Sequence, residues 1–258
     1  GFGSSAFSAT LLAEVRRRVG QFVFYAANPS ISNPDLVADG DVLLVPSAAQ
    51  GERMRGRLGV EPEVFPSPVA GDRVPSPGSC IAAEPGAAIR HGFVTLLNPA
   101  PEKGGLLALA LARAAARQAP DLGFLFVESR WTRAAWARSG ASTGLSNVWW
   151  LPMQRDVRPI YRRTAILLFP SVWFEPSGRS VAEAMLAGIP VIASDRGGLP
   201  EQLGGGGSVL PVPDLPERGG RVRIDPDAVA AWLGEISRLR ADPAAYAAAR
   251  GRALAASA

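Results

Sequence analysis

The stretch Phe169-Pro-Ser-Val-Trp-Phe-Glu-Pro-Ser-Gly-Arg-Ser-Val-Ala-Glu-Ala-Met-Leu-Ala-Gly-Ile-Pro-Val-Ile-Ala-Ser-Asp-Arg-Gly-Gly-Leu-Pro-Glu201 decides how the rest of the chain is read. The apolar run Ile166 to Phe169 predicts a buried strand ending at Pro170, followed by a loop that carries Glu175. A helix is expected from Ser177-Gly178 onward, running over Ser180 to Ala187, capped by Gly188 and stopped before Pro190. Val191 to Ser194 is then the next strand. Free backbone N–H groups at such a helix start attract anions, and Gly178 lets a ligand approach the main chain. Glu183 falls about two turns into the helix, where its carboxylate can accept from two neighbouring hydroxyls. Glu175 precedes the helix, so two carboxylates flank one anion site.

Working outward, strand-like and helix-like segments alternate, the pattern of an open parallel sheet covered by helices. Toward the N-terminus, Gln21 to Ala26 and Asp41 to Ser47 read as strands around the turn-rich loop Asn28 to Pro34. Residues 51–59 form a short helix closed by Gly59, and Val64 to Val69 is extended by its prolines. Residues 70–92, rich in Pro, Gly and Ser, read as a linker or flexible loop. A regular series follows: strands at Phe93–Leu97, Leu122–Val127 and Val148–Leu151, with helices at Gly105–Gln118, Trp131–Arg138 and Val157–Arg163. Beyond Pro200–Leu203 and the flexible turn Gly204–Gly207, helices at Asp227–Arg240 and Pro243–Ala256 close the chain. Residues 1–80 are read as a partial first domain with its linker and 81–258 as a second, complete domain.

The two Glu residues are separated by seven others, and around them stand Pro170-Ser171, Gly178, Glu183-Ala184-Met185, Gly188-Ile-Pro190 and Gly197-Gly198-Leu-Pro-Glu201. In this the chain resembles the large family of retaining glycosyltransferases that includes sucrose synthase (glycosyltransferase family 4 type, glycosyl transferases group 1). That resemblance implies an α/β fold of two facing Rossmann-like domains (GT-B), the first, acceptor-side domain being incomplete here. It implies a nucleotide-sugar donor (UDP-, GDP- or ADP-sugar), held by the second domain, and a glycan, lipid-linked or small-molecule hydroxyl acceptor. It further implies retention without a metal or cofactor; the cytoplasmic setting is expected separately, from Cys80 being the only cysteine.

The resemblance extends upstream, over Phe93 to Gly104, where Lys103 matches the family's lysine that neutralises the donor diphosphate. Asn98-Pro99 replaces the family's Gly-Arg, so a second cation is either absent or supplied from elsewhere, by Arg179, Arg130 or Arg155. Glu175 and Lys103 are thus implied to act in catalysis, and Glu183, Gly178, Arg179, Ser180, Ser177, Asn98, Ser129, Arg130, Leu151 and Met153 to bind the donor. Trp149 and Trp150, beside the region that lines the family's base pocket, are read as core residues. The missing arginine, the short first domain and Ser177 in place of the family's Phe open an alternative, a non-catalytic nucleotide-sugar-binding subunit or degenerate relative acting through a partner.

Composition narrows the remaining classes. Hydrophobic residues make up 47% and charged residues 19%, enough for a sizeable core. No apolar run reaches the roughly 18 residues of a membrane span, and the first ten residues do not read as a signal peptide. The net charge of +4 is spread along the chain without interleaved aromatics, which argues against nucleic acid. Arg16-Arg17-Arg18 reads as a solvated face of a helix with apolar Leu11, Leu12, Val15 and Val19, or as a weak peripheral contact with anionic lipid at the inner membrane surface. With Cys80 and His91 the only residues of their kinds, a disulfide within the chain is impossible, a zinc site is implausible and a His-based triad is not available. Lys103 is also the only lysine, which disfavours pyridoxal chemistry. Gly1-Phe-Gly-Ser-Ser-Ala6 matches a dinucleotide fingerprint but lacks the βαβ context that would give it meaning.

Overall fold

The computed structural model describes residues 11, 13–31, 37, 40–141, 143–213 and 224–257. Gly1 to Ala6 and part of the helix read over Leu11 to Val19 lie outside them. By contacts the chain divides into two compact units: one of residues 1–68, 174–178 and 197–202, the other of 69–173, 179–196 and 203–258.

In the smaller unit, strands β1 (Val23–Tyr25), β2 (Val42–Val45) and β3 (Glu63–Val64) form a parallel sheet in that order. Helix α1 (Ala48–Leu58) packs Met54 and Leu58 onto Phe24, Leu43 and Val45, which alternate with exposed neighbours on β1 and half-buried ones on β2. The helix begins three residues before its expected start because Ser47 caps it, accepting from the Gln50 N–H at 3.1 Å. It ends at Gly59, whose φ of 70° suits glycine. Of the three clustered arginines, Arg16 pairs with Asp41, and Arg17 and Arg18 with Glu14.

The larger unit is built on a six-stranded parallel sheet of β4 (Phe93–Leu97), β5 (Phe124–Val127), β6 (Val148–Leu151), β7 (Thr164–Phe169), β8 (Val191–Ser194) and β9 (Ser208–Leu210). The strand order is β6-β5-β4-β7-β8-β9. The direction of winding therefore reverses between β4 and β7, and the loops leaving those two strands diverge from one crevice. β5, β7 and β8 are near-continuous apolar runs because both faces of the sheet are covered. The polar exceptions are satisfied: Thr95 Oγ1 and Thr164 Oγ1 lie 2.8 Å apart, and Thr164 also donates to the Ile160 carbonyl.

Helices α2 (Pro85–His91), α3 (Gly105–Gln118), α4 (Arg133–Arg138), α5 (Arg158–Arg163), α6 (Arg179–Leu186), α7 (Leu199–Leu203), α8 (Pro226–Ala241) and α9 (Pro243–Ala256) complete the chain. The expected bounds of α3 and α9 hold to the residue, since each has a cap or breaker at its ends. Three readings change. Residues 70–92 are not irregular: they carry three 3₁₀ turns and α2, with Cys80, Ala82 and Ala88 buried. Small residues buried in short turns leave no periodicity to read. Strand β9 follows the glycine run Gly204–Gly207 where no strand was expected. Trp149, read as core, is 50% exposed on the outermost strand, its ring set edge-on against Phe93.

Gly104 joins β4 to α3 with φ 82°, and a Cβ there would lie 2.0 Å from the Pro170 carbonyl oxygen. Gly59 has a similar φ but open space around it. Gly59→Ala should therefore cost about 1 kcal/mol, the left-handed penalty alone. Gly104→Ala should cost about 3 kcal/mol or more, because two backbones are forced apart as well. Denaturant unfolding of both variants checks the difference; equal losses would contradict the close approach.

Candidate functional site

Asn98 turns the chain out of β4 with φ 58°, the one non-glycine residue with positive φ among the described residues. Its N–H still bonds to Val127 at the end of β5, and its carbonyl accepts from Ala100, which starts a tight loop. Its buried Oδ1 has no hydrogen-bond partner among the described residues. The loop then makes a 3₁₀ turn, Pro101–Lys103, that puts the half-buried Lys103 directly before Gly104. The Glu102 carbonyl accepts from the Val172 N–H at 3.1 Å, the Trp173 N–H at 3.0 Å and Ser171 Oγ at 3.3 Å. Ser194 Oγ–H in turn donates to the Ser171 carbonyl at 2.6 Å. The loop after β4 is thus bonded to the loop after β7, across the point where the strand order reverses. Lys103 is held at the carboxyl ends of the strands, where ligands bind in open α/β sheets.

Helix α6 buries Val181, Ala182, Ala184 and Met185, and Glu183 among them, at 5% exposure. A buried carboxylate needs strong partners. Tyr161, fully buried on α5, donates its hydroxyl to Glu183 Oε2 at 2.6 Å. Arg179 Nε stands 3.8 Å from Oε1, one turn earlier on the same helix, with its side chain 65% exposed. Burial, and then the negative charge of Glu183, push the Tyr161 phenol well above its ordinary range. A hydrogen bond from Ser180 acts in the opposite direction. Tyr161 is therefore a hydroxyl donor across all ordinary pH.

Of the other expected donor residues, Ser129 and Arg130 follow β5, Leu151 is the last residue of β6 and Met153 follows it. The two strand ends are paired, with Glu128 N–H on the Leu151 carbonyl at 2.8 Å. Arg130 and Met153 are exposed, Ser129 and Leu151 half-buried. All leave the sheet at its carboxyl edge, on the side of β4 away from β7.

Glu175, Ser177 and Gly178 belong to the smaller unit. Glu175 is 5% exposed, and its carbonyl accepts the Gly198 N–H at 2.8 Å. Gly197, at φ 59°, would place a Cβ 2.2 Å from that carbonyl oxygen, so the Gly-Gly pair is what admits the approach. Ser177 is buried and bonds to Ser67 Oγ at 3.2 Å, while Gly178 has φ 83°. The guanidinium of Arg53 lies over the Phe174 ring, 4.6 Å from its centre, and its Nε–H donates to the Pro29 carbonyl. Burial, followed by repulsion from Arg57, lowers the Arg53 pKa.

Two contacts were not foreseen from the sequence. One is the Tyr161–Glu183 bond, which the sequence did not signal: Tyr161 stands between Ile160 and Arg162-Arg163, and only its burial requires its hydroxyl to find a partner. The other is Glu201, whose two oxygens accept from the Ala48 N–H at 2.7 Å and the Ala49 N–H at 2.8 Å. Its motif marked it as notable, but a contact with a residue 153 positions away leaves no trace in local pattern. Among the described residues, no three His, Cys, Asp or Glu side chains are grouped to hold a metal ion, and no helix is long and apolar enough to cross a membrane.

Residues 89–242, more than half of the chain, match the family model of glycosyl transferases group 1. The chain belongs to this family. Among solved structures, this group 1 glycosyltransferase is similar to Anabaena Alr3699/HepE in complex with UDP-glucose, at 17% identity and a TM-score of 0.69 over 98% of this chain and 72% of that one. It is equally similar to WaaG, a glycosyltransferase involved in lipopolysaccharide biosynthesis, with TM-score 0.69 and 14% identity over 98% and 80% of the two chains. These likenesses carry the fold, and the GT-B class expected from the sequence agrees with them. Spore coat protein SA of Bacillus subtilis is 41% identical over 49 residues, a match spanning 19% of this chain and 13% of that protein.

The Glu201 contact generates a prediction for the smaller unit. Two charge-assisted bonds to the exposed first turn of α1 should contribute about 1 kcal/mol. Glu201→Ala should lose that in denaturant unfolding, and Glu201→Gln, which keeps one acceptor, should lose about half. No loss in either variant would show that water replaces the carboxylate freely.

Proposed function

We propose that this group 1 glycosyltransferase transfers a sugar from a nucleoside diphosphate donor to a hydroxyl acceptor, with retention at the anomeric carbon and without a metal ion. The observation that carries this reading is the clamp at Glu102, which holds Lys103 at the sheet's switch point beside the loop leading toward α6. The bond from the anomeric carbon to the diphosphate oxygen breaks as the acceptor oxygen attacks from the same face. The acceptor proton passes to the departing diphosphate. Charge grows on that leaving group, and Lys103, the first turn of α6 at Arg179 and Ser180, and the backbone at Gly178 stabilise it. Glu183 accepts from the ribose hydroxyls, Glu175 orients the sugar, Ser177 lines the approach, and Asn98, Ser129, Arg130, Leu151 and Met153 border the nucleotide. The UDP and UDP-glucose complexes of HepE make UDP the first nucleotide to examine, ahead of GDP and ADP. The acceptor is a glycan, a lipid-linked sugar or a small molecule, and the lone cysteine supports a cytoplasmic setting.

A second reading, a nucleotide-sugar-binding relative that acts through a partner, is favoured by one observation. Asn98, where the family has glycine, turns the chain with a left-handed φ of 58°, but Pro99 brings no cation where the family's arginine would stand.

Calorimetric titration with UDP, GDP and ADP separates these. One of them should bind, and Glu183→Ala should weaken it by roughly 2–3 kcal/mol, as expected on losing hydrogen bonds to a charged acceptor. Lys103→Ala should lower sugar-transfer or donor-hydrolysis turnover by about 100-fold. A folded protein that binds a nucleotide but turns over no faster than its Lys103→Ala variant would favour the second reading; binding unaffected by Glu183→Ala would remove Glu183 from the site.

A further inference from the structure

We infer that Tyr161 is a positioning residue for the nucleoside: it holds one oxygen of Glu183 so that the other is presented to the ribose hydroxyls. This rests on the reading of Glu183 as the ribose ligand. The geometry is specific. Tyr161 is fully buried, Glu183 nearly so, and the bond between them, at 2.6 Å, is of charge-assisted length. It engages Oε2 alone. The cation that faces Oε1 is Arg179, at 3.8 Å, beyond hydrogen-bond range, on a side chain that is 65% exposed. A free carboxylate could rotate about its last bond and offer either oxygen in any plane. With Oε2 occupied by a donor that never ionises, rotation stops and Oε1 is left with its lone pairs available.

Packing alone gives no reason for this arrangement. Burying a carboxylate beside a phenol is costly, and an apolar pair of similar volume would hold α5 against α6 at least as well. The arrangement gains something only if the orientation of Glu183 matters, and Tyr161 then sets the discrimination between a ribose and a sugar without its hydroxyls.

The test is calorimetric titration of wild type, Tyr161→Phe and Glu183→Ala with UDP and with 2′,3′-dideoxy-UDP. Wild type should prefer UDP. Tyr161→Phe should bind UDP about 10-fold more weakly and leave the dideoxy nucleotide unchanged, so that the preference collapses toward that of Glu183→Ala. A tyrosine of merely structural importance would weaken both nucleotides alike, or only lower the unfolding temperature, and either result overturns the inference. Preference lost in Glu183→Ala but intact in Tyr161→Phe overturns it while the ribose role of Glu183 stands. Wild type without any preference for UDP removes both together. Should Tyr161→Phe fail to fold, 3,5-difluorotyrosine at position 161 keeps the ring and sharpens the donor. The preference for UDP should then grow, and an unchanged preference would count against the inference.

Discussion

The three hydrogen bonds that converge on the Glu102 carbonyl hold the larger unit's site in place. A parallel sheet whose order reverses between β4 and β7 leaves a crevice at the carboxyl ends of those strands, but the crevice alone positions nothing. Loops there are free to differ in direction. Here the 3₁₀ turn carrying Lys103 and the segment Ser171-Val172-Trp173 are bonded to each other, and Gly104 lets their backbones meet. A lysine side chain is long and costly to order, so a backbone clamp one residue away reduces what a ligand must still immobilise.

A second constraint acts on α6. The helix has to cover the sheet, so one side of it is apolar, yet it carries Glu183 among its buried residues. The conflict is resolved by the neighbouring α5, which supplies a phenol rather than another aliphatic side chain. Such a local departure from good core chemistry is what the proposed ribose-binding role of Glu183 would account for. The Gly197-Gly198 pair is the same kind of departure in the smaller unit: it serves the close approach to the Glu175 backbone, not the regularity of any element.

The departure at Asn98-Pro99 separates two things that the family's Gly-Arg combines. Asparagine is among the few residues that tolerate a left-handed backbone, so the turn out of β4 survives. The charge does not, since proline has none. Path of chain and electrostatics are thus independent at this corner, and the functional question turns on the second.

Much of this was legible in the residues. The alternation of buried strands with capped helices is local, so β4, β6 and β8 and the bounds of α3 and α9 follow from the chain. Lys103, Glu175 and Glu183 stood out by spacing and motif because they sit in fixed places relative to a strand end or a helix start. What local pattern could not contain was partnership at long range: the capping of α1 by Glu201, the bond between Tyr161 and Glu183, and the clamp of Glu102 on Ser171 to Trp173. The packed turns of residues 70–92 and the strand after Gly204–Gly207 escaped for a related reason. Periodicity records which face of an element is buried, whereas a short turn or an edge strand takes its form from whatever it packs against. The sequence determined the elements and the candidate polar side chains; only the tertiary structure decided which polar groups meet, because hydrogen bonds between distant residues depend on the direction in which the sheet delivers its loops.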